Sequence, residues 1–151
     1  MIVKVKKLHP KAKIPKYAKP GDAGMDLYCT EIIWTYDYIQ YNTGLAFEVP
    51  EGYFGLLVPR SSNTTKDLIL KNSAGILDSG YRGEVSFRYK PLEYSIYKYN
   101  EDRERLGSLI YKEGDRIGQI LILPYPTIDF EEVEKLSETE RGVNGYGSTG
   151  R

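Results

Sequence analysis

Gly44-Leu45-Ala46-Phe47-Glu48-Val49-Pro50-Glu51-Gly52-Tyr53-Phe54-Gly55-Leu56-Leu57-Val58 is the stretch that decides the fold class. Residues 44–49 and 53–58 read as two strands around a Pro-Glu-Gly turn, which predicts a hairpin. The same pattern continues on both sides. In 84–90, Val85, Phe87 and Tyr89 fall on one face at period two. Residues 116–123 form an apolar run broken by Gln119, as expected of a strand covered on both faces. Further strands are expected at 1–6, 68–71 and in the Ile-, Trp- and Tyr-rich stretch 31–41. Helical signals are short: one or two turns in 61–67 with a Ser or Asn cap, and Phe130, Val133 and Leu136 spaced three apart. The 14 tyrosines and 15 glycines suit short strands with frequent turns. Together these features predict an all-β sandwich or barrel. With no repeat and no linker, residues 1–151 form a single domain.

Composition narrows the function. Lys plus Arg balance Asp plus Glu at 21 each, so there is no broad cationic face for a nucleic-acid partner, although a small anion site remains compatible. Cys29 is the sole cysteine and His9 the sole histidine. An intrachain disulfide, most Cys/His zinc sites and catalysis by several histidines are thereby excluded. Chemistry falls to carboxylates, hydroxyls, Arg, Lys and a hard metal. The start MIVKVKKLHP has no signal-peptide core, and no window could span a membrane. The expected location is cytoplasmic, or a host cell interior for a phage- or virus-encoded chain. Cys29 reads as a buried small residue, His9 as a surface-loop residue. The run Lys4, Lys6, Lys7, Lys11, Lys13, Lys16 reads as a solvated face.

Three segments can carry chemistry. Arg60-Ser61-Ser62 follows a strand, where a guanidinium and two hydroxyls make a phosphate cradle. In 75–84 three glycines bracket Asp78 and Tyr81; such a hairpin lets backbone groups approach a ligand, with Asp78 at a pocket mouth and Tyr81 as a flat wall. Taken alone, Asp78 is as compatible with stabilising the turn as with catalysis. The tail 141–151 (RGVNGYGSTGR) approaches a phosphate-loop pattern from Gly142, but Ser148 stands where that pattern needs Lys and no helix follows. What remains is a mobile lid, with Arg141 for charge and Tyr146 for stacking on a base.

In their order, these segments resemble the five motifs of the trimeric dUTPase family: Ala23-Gly24-Met25-Asp26-Leu27-Tyr28, Pro59-Arg60-Ser61-Ser62, GILDSGYRGEV at 75–85, Gly114-Asp115-Arg116-Ile117-Gly118-Gln119, and RGVNGYGSTG at 141–150. The resemblance implies a jelly-roll-like β fold that assembles as a homotrimer with shared sites. It implies hydrolysis of dUTP to dUMP and pyrophosphate with Mg²⁺, Asp78 activating the attacking water. Asn72, Ile76, Leu77 and Asp78 would read the uracil edge, Tyr81 would pack on the sugar, and Gly75 and Ser86 would join the substrate-binding set. Arg60, Ser61, Ser62 and Gln119 match phosphate-binding positions, and Asp26 a carboxylate that reaches the metal through water. Arg141, Tyr146, Gly147, Ser148 and Thr149 would close over the nucleotide from a neighbouring subunit.

The chain departs from the family pattern in places. Tyr146 replaces Phe, Asn144 and Gly118 replace Gly and Ala, and Gly80 stands where Asp is common. The charged stretch 93–112 is expected to be a surface insertion. Asp78-Ser79-Gly80-Tyr81 also approaches the D-P-G-F hairpin of deoxycytidine triphosphate deaminases. That family needs a catalytic Glu ten residues after the Asp, where Arg88 stands here. A non-catalytic regulatory protein on the same scaffold is the other alternative. The intact Asp78 and complete tail motif argue against it.

Overall fold

The computed structural model describes residues 1–92 and 109–145. Its ten strands are β1 (Lys4–Lys7), β2 (Met25–Tyr28), β3 (Glu31–Trp34), β4 (Ile39–Asn42), β5 (Leu45–Glu48), β6 (Tyr53–Val58), β7 (Leu68–Leu70), β8 (Gly75–Leu77), β9 (Ser86–Pro91) and β10 (Arg116–Pro124). They form three antiparallel sheets, β1-β5, β2-β10-β6-β8 and β3-β4-β9-β7. The all-β single-domain expectation holds. Most of the charged stretch 93–112 lies outside the described residues.

Three local expectations change. First, 44–58 is not a hairpin. β5 pairs with β1, whereas β6 lies between β10 and β8, so the turn closed by Tyr53 N–H donating to Pro50 O (3.1 Å) passes between sheets. Leu45, Ala46 and Phe47 are buried in succession, which means that β5 is covered on both faces. Each strand finds its partners elsewhere. Second, 31–41 is itself a hairpin, β3–β4, turned at Thr35, whose hydroxyl bonds both the N–H and the O of Tyr38. Third, 130–136 holds no helix. Phe130 is 93% exposed and Leu136 80%, and without an apolar surface beneath it a short helix has nothing to stabilise it. Residues 61–65 do coil, as a 3₁₀ turn, Ser61–Thr65.

The core is aromatic at its centre. Val85, Phe87 and Tyr89 are buried, as their alternation predicts. Tyr41, Tyr89 and Tyr111 meet with ring centroids 5.5–5.9 Å apart in edge or tilted geometry, favourable for ring quadrupoles. Burial raises all three phenols above their ordinary pKa, which keeps them neutral. Tyr89 Oη donates to Ile117 O (2.7 Å), and Tyr111 Oη to Asn63 Oδ1 (2.9 Å). The second bond ties the 3₁₀ turn to the core, and with it the position of Arg60. Cys29 is buried as expected, its thiol pushed up to about 12 by desolvation.

β10 carries a bulge that matters to the site. Arg116 pairs with Tyr28 and Gly118 with Leu27, so Ile117 is an extra residue in the ladder. Both Ile117 and Gly118 therefore turn inward. A Cβ on Gly118 would overlap the ring of Phe87, which fills the space of the Ala methyl expected from the family pattern. Gly118→Ala is expected to cost about 1–3 kcal/mol through overpacking. Urea unfolding measures it, and an unchanged midpoint would refute the assignment.

Candidate active site

Two clusters of the motif residues form, and they lie apart. The first is built on Asp26, in β2. Its Oδ1 accepts from Arg60 Nε (2.7 Å) and Gln119 Nε2 (3.1 Å), and its Oδ2 from Arg116 Nη1 (3.3 Å). Arg60 Nη1 also donates to Ser62 Oγ (2.9 Å). The Asp26 and Arg60 side chains are only 14% and 18% exposed, so water screens this pair weakly. The bulge explains how the donors converge. Arg116 and Gln119 are three residues apart, which a regular strand would place on opposite faces; the extra residue puts both on the face of Asp26. Gly24 leaves room for the Gln119 side chain, which lies 3.1 Å from where a Cβ would stand. Lys16, Ala18, Asp22 and Ala23 complete the lining of a pocket of about 320 Å³. It is a cationic cradle of the size and chemistry of a polyphosphate site.

The second cluster is the loop after β8. Asp78 is exposed and lines a pocket with Phe54, Ile76, Ser79 and Tyr125. Tyr81 N–H donates to Asp78 O (3.1 Å), closing the turn that presents the carboxylate. Arg82 Nη1 donates to the carbonyls of Ser79 and Tyr81. The Tyr81 ring lies across Gly83, where any Cβ would overlap it, and its hydroxyl donates to Glu84 O (3.3 Å). Gly75 and Leu77 are buried in β8, while Ile76 is exposed toward the Asp78 pocket, and Asn72 is exposed in the preceding turn.

These clusters stand at opposite edges of one sheet, ordered β2-β10-β6-β8. Asp26 shares a row with Gln119 and Val58; Leu77 pairs with Gly55, which puts Asp78 in the row of Phe54. Three strand spacings across and four residues along separate the backbones of the two aspartates by roughly 20 Å. A single copy does not bring them to one nucleotide.

The other predicted residues distribute as follows. Ser61 is exposed beside the cradle, and Ser86 pairs with Asn42 in the second large sheet, in neither cluster. Arg141 donates from Nε to Asn144 O (3.0 Å) in an exposed turn. Tyr146, Gly147, Ser148 and Thr149 lie outside the described residues. Arg88 binds Gln40 Oε1 (3.0 Å) and covers the Tyr38 ring, outside both clusters, so the position a deaminase would need for its acid is not at the Asp78 pocket. Arg116, Phe54, Tyr125 and Lys16 were not expected at a site. Lys16 is exposed, as expected of the lysine run, and also lines the cradle. His9 is half-buried against Gly44, more enclosed than a surface-loop residue.

The donor set also tests the implied metal. Among the described residues no three His, Cys, Asp or Glu side chains converge, so a resident protein cage does not fit. Mg²⁺ carried by the substrate does fit, since it is usually held by phosphates and water with one or two carboxylates. Both oxygens of Asp26 already accept hydrogen bonds, which suits contact through water.

Comparison with known proteins identifies the family. The dUTPase family model matches residues 10–150. The chain is 38% identical over 152 residues to the deoxyuridine 5'-triphosphate nucleotidohydrolase of Corynebacterium diphtheriae, covering 99% of this chain and 93% of that protein. It is 35% identical to that of Escherichia phage T5, covering 99% of each. Its fold is similar to the Staphylococcus bacteriophage 80alpha dUTPase solved with dUPNHPP, at TM-score 0.77 and 26% identity over 99% of both chains. No helix among the described residues is long and apolar enough to cross a membrane. Matched by the family model over residues 10–150 and 38% identical to a relative over 99% of its own length, this chain belongs to the dUTPase family.

Proposed function

We propose that this chain hydrolyses dUTP to dUMP and pyrophosphate in sites built between identical copies, three to an assembly. One observation carries the reading: the cradle and the Asp78 loop sit at opposite edges of a sheet, roughly 20 Å apart. One nucleotide can use both only if they come from different subunits. The C-terminal segment supports the same conclusion. Ile128, Phe130 and Leu136 are each more than half exposed, a set of apolar side chains that a second copy would cover.

In this reading the triphosphate lies against Arg60, Ser61, Ser62 and Gln119. Asp78, from the neighbouring copy, accepts a proton from a water in line with the α-phosphorus. The water oxygen bonds to that phosphorus, the bond to the bridging oxygen of the β-phosphate breaks, and pyrophosphate leaves with the electron pair. Mg²⁺ carried in with the substrate would supply charge neutralisation for the leaving group, and Asp26 would hold it through water. Backbone groups of Gly75, Ile76 and Leu77, with Asn72, read the uracil edge. A donor aimed at O4 of uracil would meet another donor in cytosine and leave a buried group unpaired. Tyr81 stands against the sugar and excludes a 2′-hydroxyl. Arg141, Tyr146, Gly147, Ser148 and Thr149 close over the nucleotide from a third copy, a role that rests on their resemblance to the family's fifth motif. A cytoplasmic, reducing location belongs to the same proposal, supported by the lone Cys29.

Pyrophosphate release from dUTP, dCTP, dTTP and UTP with Mg²⁺ tests it. Turnover of dUTP alone is expected. Comparable rates with UTP would remove the role given to Tyr81, and ammonia release from dCTP would replace the hydrolase reading with a deaminase.

A further inference from the structure

Charge in the cradle does not balance among the motif residues alone. Arg60 spends Nε on Asp26 and Nη1 on Ser62, and Arg116 spends Nη1 on the other oxygen of Asp26. Asp22 accepts the Lys19 N–H (2.8 Å) and closes the turn 19–22, in which Gly21 takes the positive φ of +90° that a tight turn of this kind needs. The turn carries the chain from Lys16 and Ala18 back to Asp22, Ala23 and Gly24, and all five line the same pocket. Three cationic side chains, Lys16, Arg60 and Arg116, thus face two anionic ones, Asp22 and Asp26. The lining thus carries one net positive charge, and the Lys16 ammonium has no ion pair or hydrogen bond among the described residues. Without it the pocket would be neutral toward a polyanion.

We infer that Lys16, from the loop ahead of the first motif, is a further substrate-binding residue that contacts the outer phosphates of the nucleotide and of the departing pyrophosphate. The inference rests on the dUTP-hydrolase reading and adds to it a residue outside the five motifs. A lysine suits that place. A mobile point charge on a long stem can follow a terminal phosphate group, whereas the forks of Arg60 and Arg116 are each held in place by a bond from one nitrogen to Asp26. The contact belongs to groups beyond the α-phosphate, so it is present with a triphosphate or pyrophosphate and absent with a monophosphate.

The test is calorimetric titration of the full chain with inorganic pyrophosphate in Mg²⁺, and separately with dUMP, alongside steady-state dUTP hydrolysis. Lys16→Ala is expected to weaken pyrophosphate binding and raise KM for dUTP about fivefold, the upper end for an exposed ion pair. Lys16→Glu should weaken both roughly twentyfold, since it adds repulsion to the loss. Lys16→Arg should restore most of the affinity, kcat should stay within about twofold of wild type, and dUMP binding should not change. Lys13→Ala is the control for general charge loss, because Lys13 sits over the Tyr28 ring (4.4 Å) outside the pocket lining. Pyrophosphate affinity of Lys16→Ala matching wild type would overturn the inference. So would an equal loss of dUMP affinity, which would point to a damaged loop. A wild-type chain that binds pyrophosphate without hydrolysing dUTP would refute the proposed function, and the titration would still decide the case of Lys16.

Discussion

Asp78→Asn is expected to lower kcat for dUTP by about 10²–10⁴-fold, the range for losing a general base, while nucleotide affinity changes little. The substitution keeps the shape of the side chain and removes the ability to take a proton. Asp78 is exposed and bears no described part of the core, so the fold should not register the change. The turn around it is closed by main-chain and Arg82 bonds that do not use its carboxylate. Single-turnover hydrolysis with equilibrium binding of a non-hydrolysable analogue separates the two quantities. A variant within threefold of wild type in kcat would show that water is activated by another group.

Arg60→Ala should reduce kcat/KM about 10²–10³-fold, as expected for removing a preorganised donor from a site of developing phosphate charge. Two losses add. On the proposed reading the guanidinium no longer meets the phosphates, and Asp26 loses its 2.7 Å partner in a place only 14% exposed. Asp26 is then left to Arg116 and Gln119, and its carboxylate is free to swing out of register. Arg60→Lys should recover less than about tenfold, because a single ammonium cannot hold Asp26, Ser62 and a phosphate together. Equal activity of Lys and Arg at this position would contradict the geometry.

The chain's own pattern revealed a good part of this. Val85, Phe87 and Tyr89 announced their strand because half-buried strands alternate, and the alternation survives into the core. The 44–58 stretch misled for a physical reason: two adjacent strands with a tight turn resemble a hairpin, but pairing is decided by which edges are free, and both edges of β6 are taken by β8 and β10. Helical spacing at 130–136 misled because spacing without a surface to bury against does not make a helix. At the site, Asp26, Arg60 and Gln119 were legible as motif positions, and hydrogen bonds join them in the structure. Arg116 stood in the same motif as Gln119, but its place beside Asp26 was hidden by the bulge, since strict alternation puts it on the wrong face. Phe54 and Tyr125 read as ordinary strand aromatics, and only the course of β6 and β10 brings them beside Asp78. Lys16 was concealed in a lysine-rich segment and became visible once the turn at Gly21 was placed.

That the two halves of a working site come from different copies can be measured by mixing two defective chains. Asp78→Asn and Arg60→Ala protein, each nearly inactive, are unfolded together in equal amounts and refolded. If a site takes Asp78 from one copy and Arg60 from another, random assembly leaves about a quarter of the sites with both native residues, and about a quarter of wild-type activity returns. Activity no higher than the mean of the two separate variants would mean that each copy supplies its own Asp78 and Arg60.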